Sequence, residues 1–298
     1  MGGNTNRAAR DMTMHGKGLL LTALGVLFLS PDTLLIRLVD MEIWNLAVWR
    51  GILQAIGLTL LVVAFYGRRA PLAFWSIGAV GVVIAVVFSG STLTFLAALE
   101  HTEVANVLVI LASAPIFAAL MSLVLLKEQV APRTWVAIVV IFAGIGLIVG
   151  DGLDRGTAFG DAMAVATAIL LAGKITLLRH QRHINMIPAL ALSGAVFAGF
   201  AAMAQAPTLP SGEQSVWLLV MGFAVVPAAA LITLGPRYIS APEVSLLLLL
   251  ETVLGPLWVW LVINETPTPL AIVGGAIVVT ALIAHSAVGL RRVQERTA

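Results

Sequence analysis

The 298-residue chain has no cysteine. Disulfides, iron–sulfur clusters and thiol nucleophiles are excluded with it, while the redox compartment is left open. Charge is scarce too: only 11% of residues are Asp, Glu, Lys or Arg and 60% are hydrophobic, where soluble domains carry roughly a quarter charged residues. With a mean hydropathy of +1.02, that shortage excludes a soluble domain and demands a lipid bilayer as partner. The pI near 9.4 does not imply nucleic acid, because the net charge is only +2 and the basic residues are scattered among short loops. Catalytic and metal patterns are missing as well. Five histidines without cysteine and without an H-E-x-x-H spacing make no recognisable metal-ligand set. Lys17 and Lys174 each follow a glycine but lack the rest of a phosphate loop. Neither an enzyme nor a bound cofactor is expected. The amino terminus shows no A-x-A-like cleavage site, and Asn6 breaks the myristoylation pattern.

What the chain does have is apolar length. At about 20 residues per span there is room for about ten spans and little else. Turn residues and charges predict helices near 17–38, 43–66, 72–99, 103–126 and 133–150, then 159–179, 185–205, 214–236, 243–263 and 268–290. The runs are continuous and lack the period-two alternation of barrel strands. The expected class is therefore an all-α polytopic membrane protein. Thirteen lysines and arginines, among them Arg68, Arg69, Lys127, Arg133, Arg179, Arg182 and Arg237, fall on one side of this plan, and only Arg37 and Arg155 on the other. Basic loops stay inside, so both termini are expected in the cytoplasm, in a multi-pass protein of the plasma (bacterial inner) membrane.

Two stretches share one plan, 137 residues apart: EVANVLVILASAPIFAALMSLVLLKEQVAP from Glu103 and SAPEVSLLLLLETVLGPLWVWLVINETPTP from Ser240. Each runs through an apolar segment and closes on a glutamate and a proline, Glu128 with Pro132 and Glu265 with Pro269. A second match, at an offset of 142, sets SPDTLLIRL against AGKITLLRH, which aligns Arg37 with Arg179 and Asp32 with Lys174. Five helices per half is an odd number, so the second half must enter the membrane inverted. The expected organisation is a cytoplasmic tail 1–16, a first repeat 17–150, an inverted second repeat 151–290 and a cytoplasmic tail 291–298, with a binding site near the bilayer midplane between the repeats.

These residues resemble the EamA-type transporters of the drug/metabolite transporter superfamily. The resemblance is carried by ALEHTEVANVLVILASAPIFAAL and KEQVAP in the first half, and by Gly160-Asp161, GPRYISAPEVSLLLLLETVLGPL and NETPTP in the second. It implies ten helices in two inverted repeats. Within the superfamily the chain looks like a YddG-type exporter of aromatic and other amino acids. It departs from the family where a Trp-Gly pair is missing around Leu29 and Ser30, and where Lys174 replaces an aromatic residue.

Six residues are candidates for the substrate pathway: Asp32, Trp49, Arg50, Ser91, Lys174 and Glu251. Asp32 follows Pro31 and Lys174 follows Gly173, so a weakened helix with an adjacent charge is expected in each half; partial solvation near the two surfaces is the plainer alternative. Arg50 is costly to bury and needs a water-filled vestibule, Glu100, Glu103 or a substrate carboxylate, unless it snorkels to the headgroups. Trp49 beside it is either an interface anchor or a pathway wall. Ser91 belongs to the polar run Ser89 to Thr92, which serves helix packing or lines the route. Gly146 and Gly150 have the GxxxG spacing of close helix contacts, and His285 suits an interhelical hydrogen bond. Glu251 stands near the middle of its span and is either a pathway carboxylate or a protonated structural donor. The leading reading is a secondary transporter exporting a small metabolite, most readily an amino acid, by alternating access. Another solute such as a drug or nucleoside, or a non-transporting scaffold, remains open, as does the oligomeric state.

Overall fold

A computed structural model describes residues 2–102, 104–149, 157–264 and 269–295, with side chains described over 14–102, 106–147, 157–262, 264 and 269–290. The expectations at Arg7, Arg10, Glu103, Gly150, Arg155, Glu265, Arg291, Arg292 and Arg296 lie outside the described side chains.

The fold is all-helical among the described residues. Helices α1 (Gly2–Leu29) and α2 (Asp32–Val39) form one interrupted rod, followed by α3 (Ile43–Tyr66), the short α4 (Ala70–Ser76) and α5 (Gly78–His101). A second interrupted rod consists of α6 (Val104–Leu111) and α7 (Ala114–Met121) with a π-helical turn Ser122–Leu126, and α8 (Pro132–Val149) closes the first half. The second half runs through α9 (Ala158–His180), α10 (Ile187–Ala204), α11 (Gly212–Leu234), the interrupted pair α12 (Ala241–Leu248) and α13 (Glu251–Ile263), and α14 (Pro269–Glu295). Among the described residues nine rods are long and apolar enough to cross a bilayer; α8, whose apolar part is Pro132–Leu147, stands where the fifth span is expected.

Local chemistry explains the ends. Glu42 caps α3 by accepting from the Trp44 and Asn45 amides, Thr157 caps α9 through the Gly160 amide, and Ser211 with Gln214 forms a capping box at α11. Each supplies an acceptor to amides that have no partner inside the helix.

Three expectations need correction. The run 72–99 is not one helix: Gly78 has φ +57°, a left-handed conformation that breaks the helix and that glycine tolerates best. The runs 103–126 and 243–263 are each split, at 112–113 and at 249–250, positions 137 residues apart like the sequence repeat itself. Conversely, α9 passes unbroken through Gly173 and Lys174. A single glycine keeps its amide and costs a helix only about 1 kcal/mol, whereas a proline removes a hydrogen bond.

Packing follows the same exchange of halves. Helix α3 lies along α10 and α8 along α14, while the contact of α5 with α9 has its mate in that of α11 with α1. In hydrocarbon, helices associate through close backbone approach more than through apolar burial. Gly51 and Gly194 provide the closest case: a Cβ on Gly51 would sit 2.7 Å from the Gly194 carbonyl oxygen, and one on Gly194 2.8 Å from that of Gly51. Between α8 and α14 the close glycine is Gly144, 3.1 Å by the same measure from the Gly274 oxygen, while Gly146 of the expected GxxxG pair faces open space.

Candidate functional site

The two split helices facing each other set up the interior. At the break in the second half, the amides of Leu249, Leu250, Thr252 and Val253 each bond the carbonyl three residues back. The helix therefore tightens into a 3₁₀-like turn instead of opening, a geometry that often marks a hinge. Glu251 is the first residue of α13 and Ala114, 137 residues earlier, the first of α7. The first half thus makes the same break without a carboxylate. At α13 the acid meets the positive end of a helix dipole.

Four charged candidates come together around this break. Arg50 Nη1 donates to Asp32 Oδ2 at 2.7 Å. The pair follows from antiparallel geometry: Asp32 lies seven residues before the end of α2 at Val39, and Arg50 seven after the start of α3 at Ile43, which puts both at the same depth. The expected partners of Arg50 are thereby corrected, since Glu100 instead accepts from Trp44 Nε1 at 2.9 Å. Asp32 and Lys174 are 6% and 9% exposed. The Lys174 ammonium lies 4.0 Å from the centre of the Phe88 ring, and the Glu251 carboxylate is within electrostatic reach of Asp32, Arg50 and Lys174. Glu251 is only partly covered. Two cations and two carboxylates thus sit in one neighbourhood, with Asp32 Oδ1 still lacking a partner. Trp258 of α13 donates to Ser30 Oγ at 2.8 Å, which ties α13 to the interruption between α1 and α2.

The other candidates sit apart from this cluster. Trp49 Nε1 donates to the Thr208 carbonyl at 3.0 Å, and Asn45 Nδ2 to Thr208 Oγ1 at 2.7 Å, so both fasten α3 to the loop before α11. Ser91 is buried on α5, one turn beyond Phe88. Its neighbours hold helices together: Ser89 Oγ bonds the Ser193 carbonyl at 3.1 Å, and Thr167 donates to Thr94 at 2.8 Å. His285 makes the interhelical bond expected of it, 3.1 Å from Thr134 Oγ1. Phe88 and Trp258 were not singled out from the sequence, where an aromatic residue in an apolar run carries no signal of its own.

At the end that carries most arginines, two ion pairs cross between the halves. Glu128 Oε1 lies 3.0 Å from both Nε and Nη2 of Arg179, with Arg182 Nη1 at 3.8 Å. Arg133 Nη2 lies 3.1 Å from Glu243 Oε1, and Glu243 in turn closes a capping box with Ser240. Among the described residues no group of three or more His, Asp or Glu side chains gathers as a metal site.

A crystal structure of another protein superposes with a TM-score of 0.76, covering 91% of this chain and 98% of that one at 16% identity; the fold is shared. An "Uncharacterized transporter" from Archaeoglobus fulgidus is 26% identical over 196 residues, 64% of this chain and 70% of its own length. Residues 16–150 match the EamA-like transporter family. The chain is thus a multi-pass membrane protein whose first half carries the pattern of the EamA-like transporter family.

Proposed function

We propose that the chain is a secondary transporter of the plasma (bacterial inner) membrane that exports amino acids, aromatic ones included, in the manner of the YddG-type exporters. Residues 17–150 and 151–290 act as inverted repeats that rock about a central site, with both termini and the arginine-rich end in the cytoplasm. The observation that carries this reading is the cluster of Asp32, Arg50, Lys174 and Glu251 beside the interruptions before α2 and α13. With Asp32 and Arg50 occupied by each other, Lys174 and Glu251 remain as one cation and one carboxylate. That is the complement of a zwitterion: the substrate ammonium goes to Glu251 and the unpartnered Asp32 Oδ1, the carboxylate to Lys174 and the remaining Arg50 donors. Phe88, Trp258 and the apolar walls receive the side chain. The chemistry of such a site is binding and release.

Flux of labelled amino acids into proteoliposomes tests it. Glu251→Gln keeps size and hydrogen bonding while removing the charge. It is expected to fold and insert normally yet to lose more than about 90% of flux, on the scale of a charged hydrogen bond of about 1.5 to 3 kcal/mol. Wild-type protein that moves no amino acid while remaining folded would refute the substrate class. Unchanged flux in Glu251→Gln would remove the carboxylate from the pathway.

A further inference from the structure

Between the end of α3 and the start of α5 lies an element that the central site does not use. Gly67 at φ +54° and Gly78 at φ +57° stand at its two ends. A Cβ on either would meet open space, so their left-handed conformation is set by the course of the backbone and not by close packing. The residues between them, Arg68 to Ile77, have two faces. Ala70, Ala73 and Ile77, at i, i+3 and i+7, are buried in one apolar cluster with Met186, Ile187 and Leu190 at the start of α10. Arg68, Leu72 and Trp75, at i, i+4 and i+7, share the opposite face. There Leu72 is 67% exposed and Trp75 85%, and Arg69 is exposed beside Arg68. The Tyr66 hydroxyl accepts from Asn185 Nδ2 at 3.1 Å, which sets the turn next to the loop before α10.

The charge on this element is of one sign. No acidic residue occurs from Gly67 to Gly78, and among the described residues neither arginine side chain has a hydrogen bond or an ion pair. At the same end, Glu128 and Glu243 are held by Arg179 and Arg133. The outer face therefore carries cations at its start and apolar and aromatic side chains further on, the composition of elements that lie at a bilayer surface. Arg68 and Trp75 are seven residues apart, about 10 Å along a helix, and this matches the step from a headgroup to the upper acyl region. A soluble anion would engage the arginines and leave Leu72 and Trp75 bare, whereas a phospholipid engages both. We propose that Arg68, Arg69, Leu72 and Trp75 form a binding site for an anionic phospholipid, with the phosphate on the arginines and the acyl chains along Leu72 and Trp75. The bound lipid fastens the connector between α3 and α5, from the first half, onto α10 of the second. The site is independent of what the central cluster carries.

Tryptophan quenching tests the site. The purified full chain in neutral detergent is titrated, at constant ionic strength, with phosphatidylglycerol or phosphatidylcholine whose acyl chains are brominated, since bromine quenches the indoles it touches. The share due to Trp75 is the difference between wild type and Trp75→Phe. Half-quenching of that share is expected at about thirtyfold less phosphatidylglycerol than phosphatidylcholine, and Arg68→Gln and Arg69→Gln each reduce the preference about fivefold. Lys127→Gln, which removes an exposed cation from the same end, leaves it unchanged. The proposal is overturned by equal quenching with the two lipids, by a loss in Lys127→Gln as large as in Arg68→Gln, or by identical quenching in wild type and Trp75→Phe. Displacement by free glycerol 1-phosphate as readily as by unbrominated phosphatidylglycerol would overturn the assignment to a lipid.

Discussion

Removing either member of the Asp32–Arg50 pair should expose how much the interior depends on it. At 2.7 Å and an effective dielectric constant of about 20, the gross attraction is about 6 kcal/mol, and desolvation of two enclosed charges consumes much of it. Loss of one partner does not simply forfeit the remainder. It strands the other charge, which in buried pairs costs about 3 to 5 kcal/mol. Arg50 keeps 22% of its side chain exposed and Asp32 only 8%. Asp32→Asn, which leaves the better-solvated arginine, is therefore expected near about 3 kcal/mol, and Arg50→Gln near the upper end of that range. The double variant strands nothing and should cost no more than Arg50→Gln alone. The resulting coupling energy of about 3 kcal/mol corresponds to about a hundredfold in the unfolding equilibrium. Reversible unfolding in mixed micelles, followed by tryptophan fluorescence, measures all four corners of the cycle. Additive single effects would refute the argument, because they would mean that the two groups are solvated independently.

The glycine crossing between α3 and α10 offers a sharper packing test. Gly51→Val should destabilise the fold by about 1 to 3 kcal/mol or prevent folding, whereas Gly199→Val on α10, with open space at its Cβ position, should fall within about 0.5 kcal/mol of wild type in the same unfolding assay. Orientation can be read by thiol labelling of intact cells, since the chain has no cysteine to interfere. Ser211→Cys is expected to react with an impermeant reagent from outside and Arg69→Cys and Arg182→Cys not to; labelling of Arg182→Cys would overturn the inverted arrangement.

Helix positions were legible because long apolar runs bounded by charge leave little choice in a bilayer. The splits were less so. Pro115 marks the one in the first half, but the second falls inside Leu246 to Leu250, where neither proline nor glycine gives a local signal. Only the 137-residue offset transfers the break from one half to the other. Gly173 misled in the opposite sense, because a lone glycine in a well-packed helix does not break it. For the site, the charged residues stood out by their cost in lipid, but their pairing did not. Asp32 and Arg50 meet because two helix ends share one turn, a relation of depth and not of sequence spacing. Phe88 was invisible for another reason: what distinguishes it is the ammonium it faces, and that ammonium belongs to α9.

The Gly51–Gly194 contact also divides α3 unequally. Eight residues separate Gly51 from Ile43 and fifteen separate it from Tyr66, so at 1.5 Å per residue the arms are about 12 Å and about 22 Å. Treated as a fulcrum, this point makes α3 a lever with a ratio near two. In the rocking we propose, a rotation of about 10° would carry the Tyr66 end about 4 Å and the Ile43 end about 2 Å. A sensor of distance placed at each mouth would then register unequal strokes, with the wider swing on the side of the arginines.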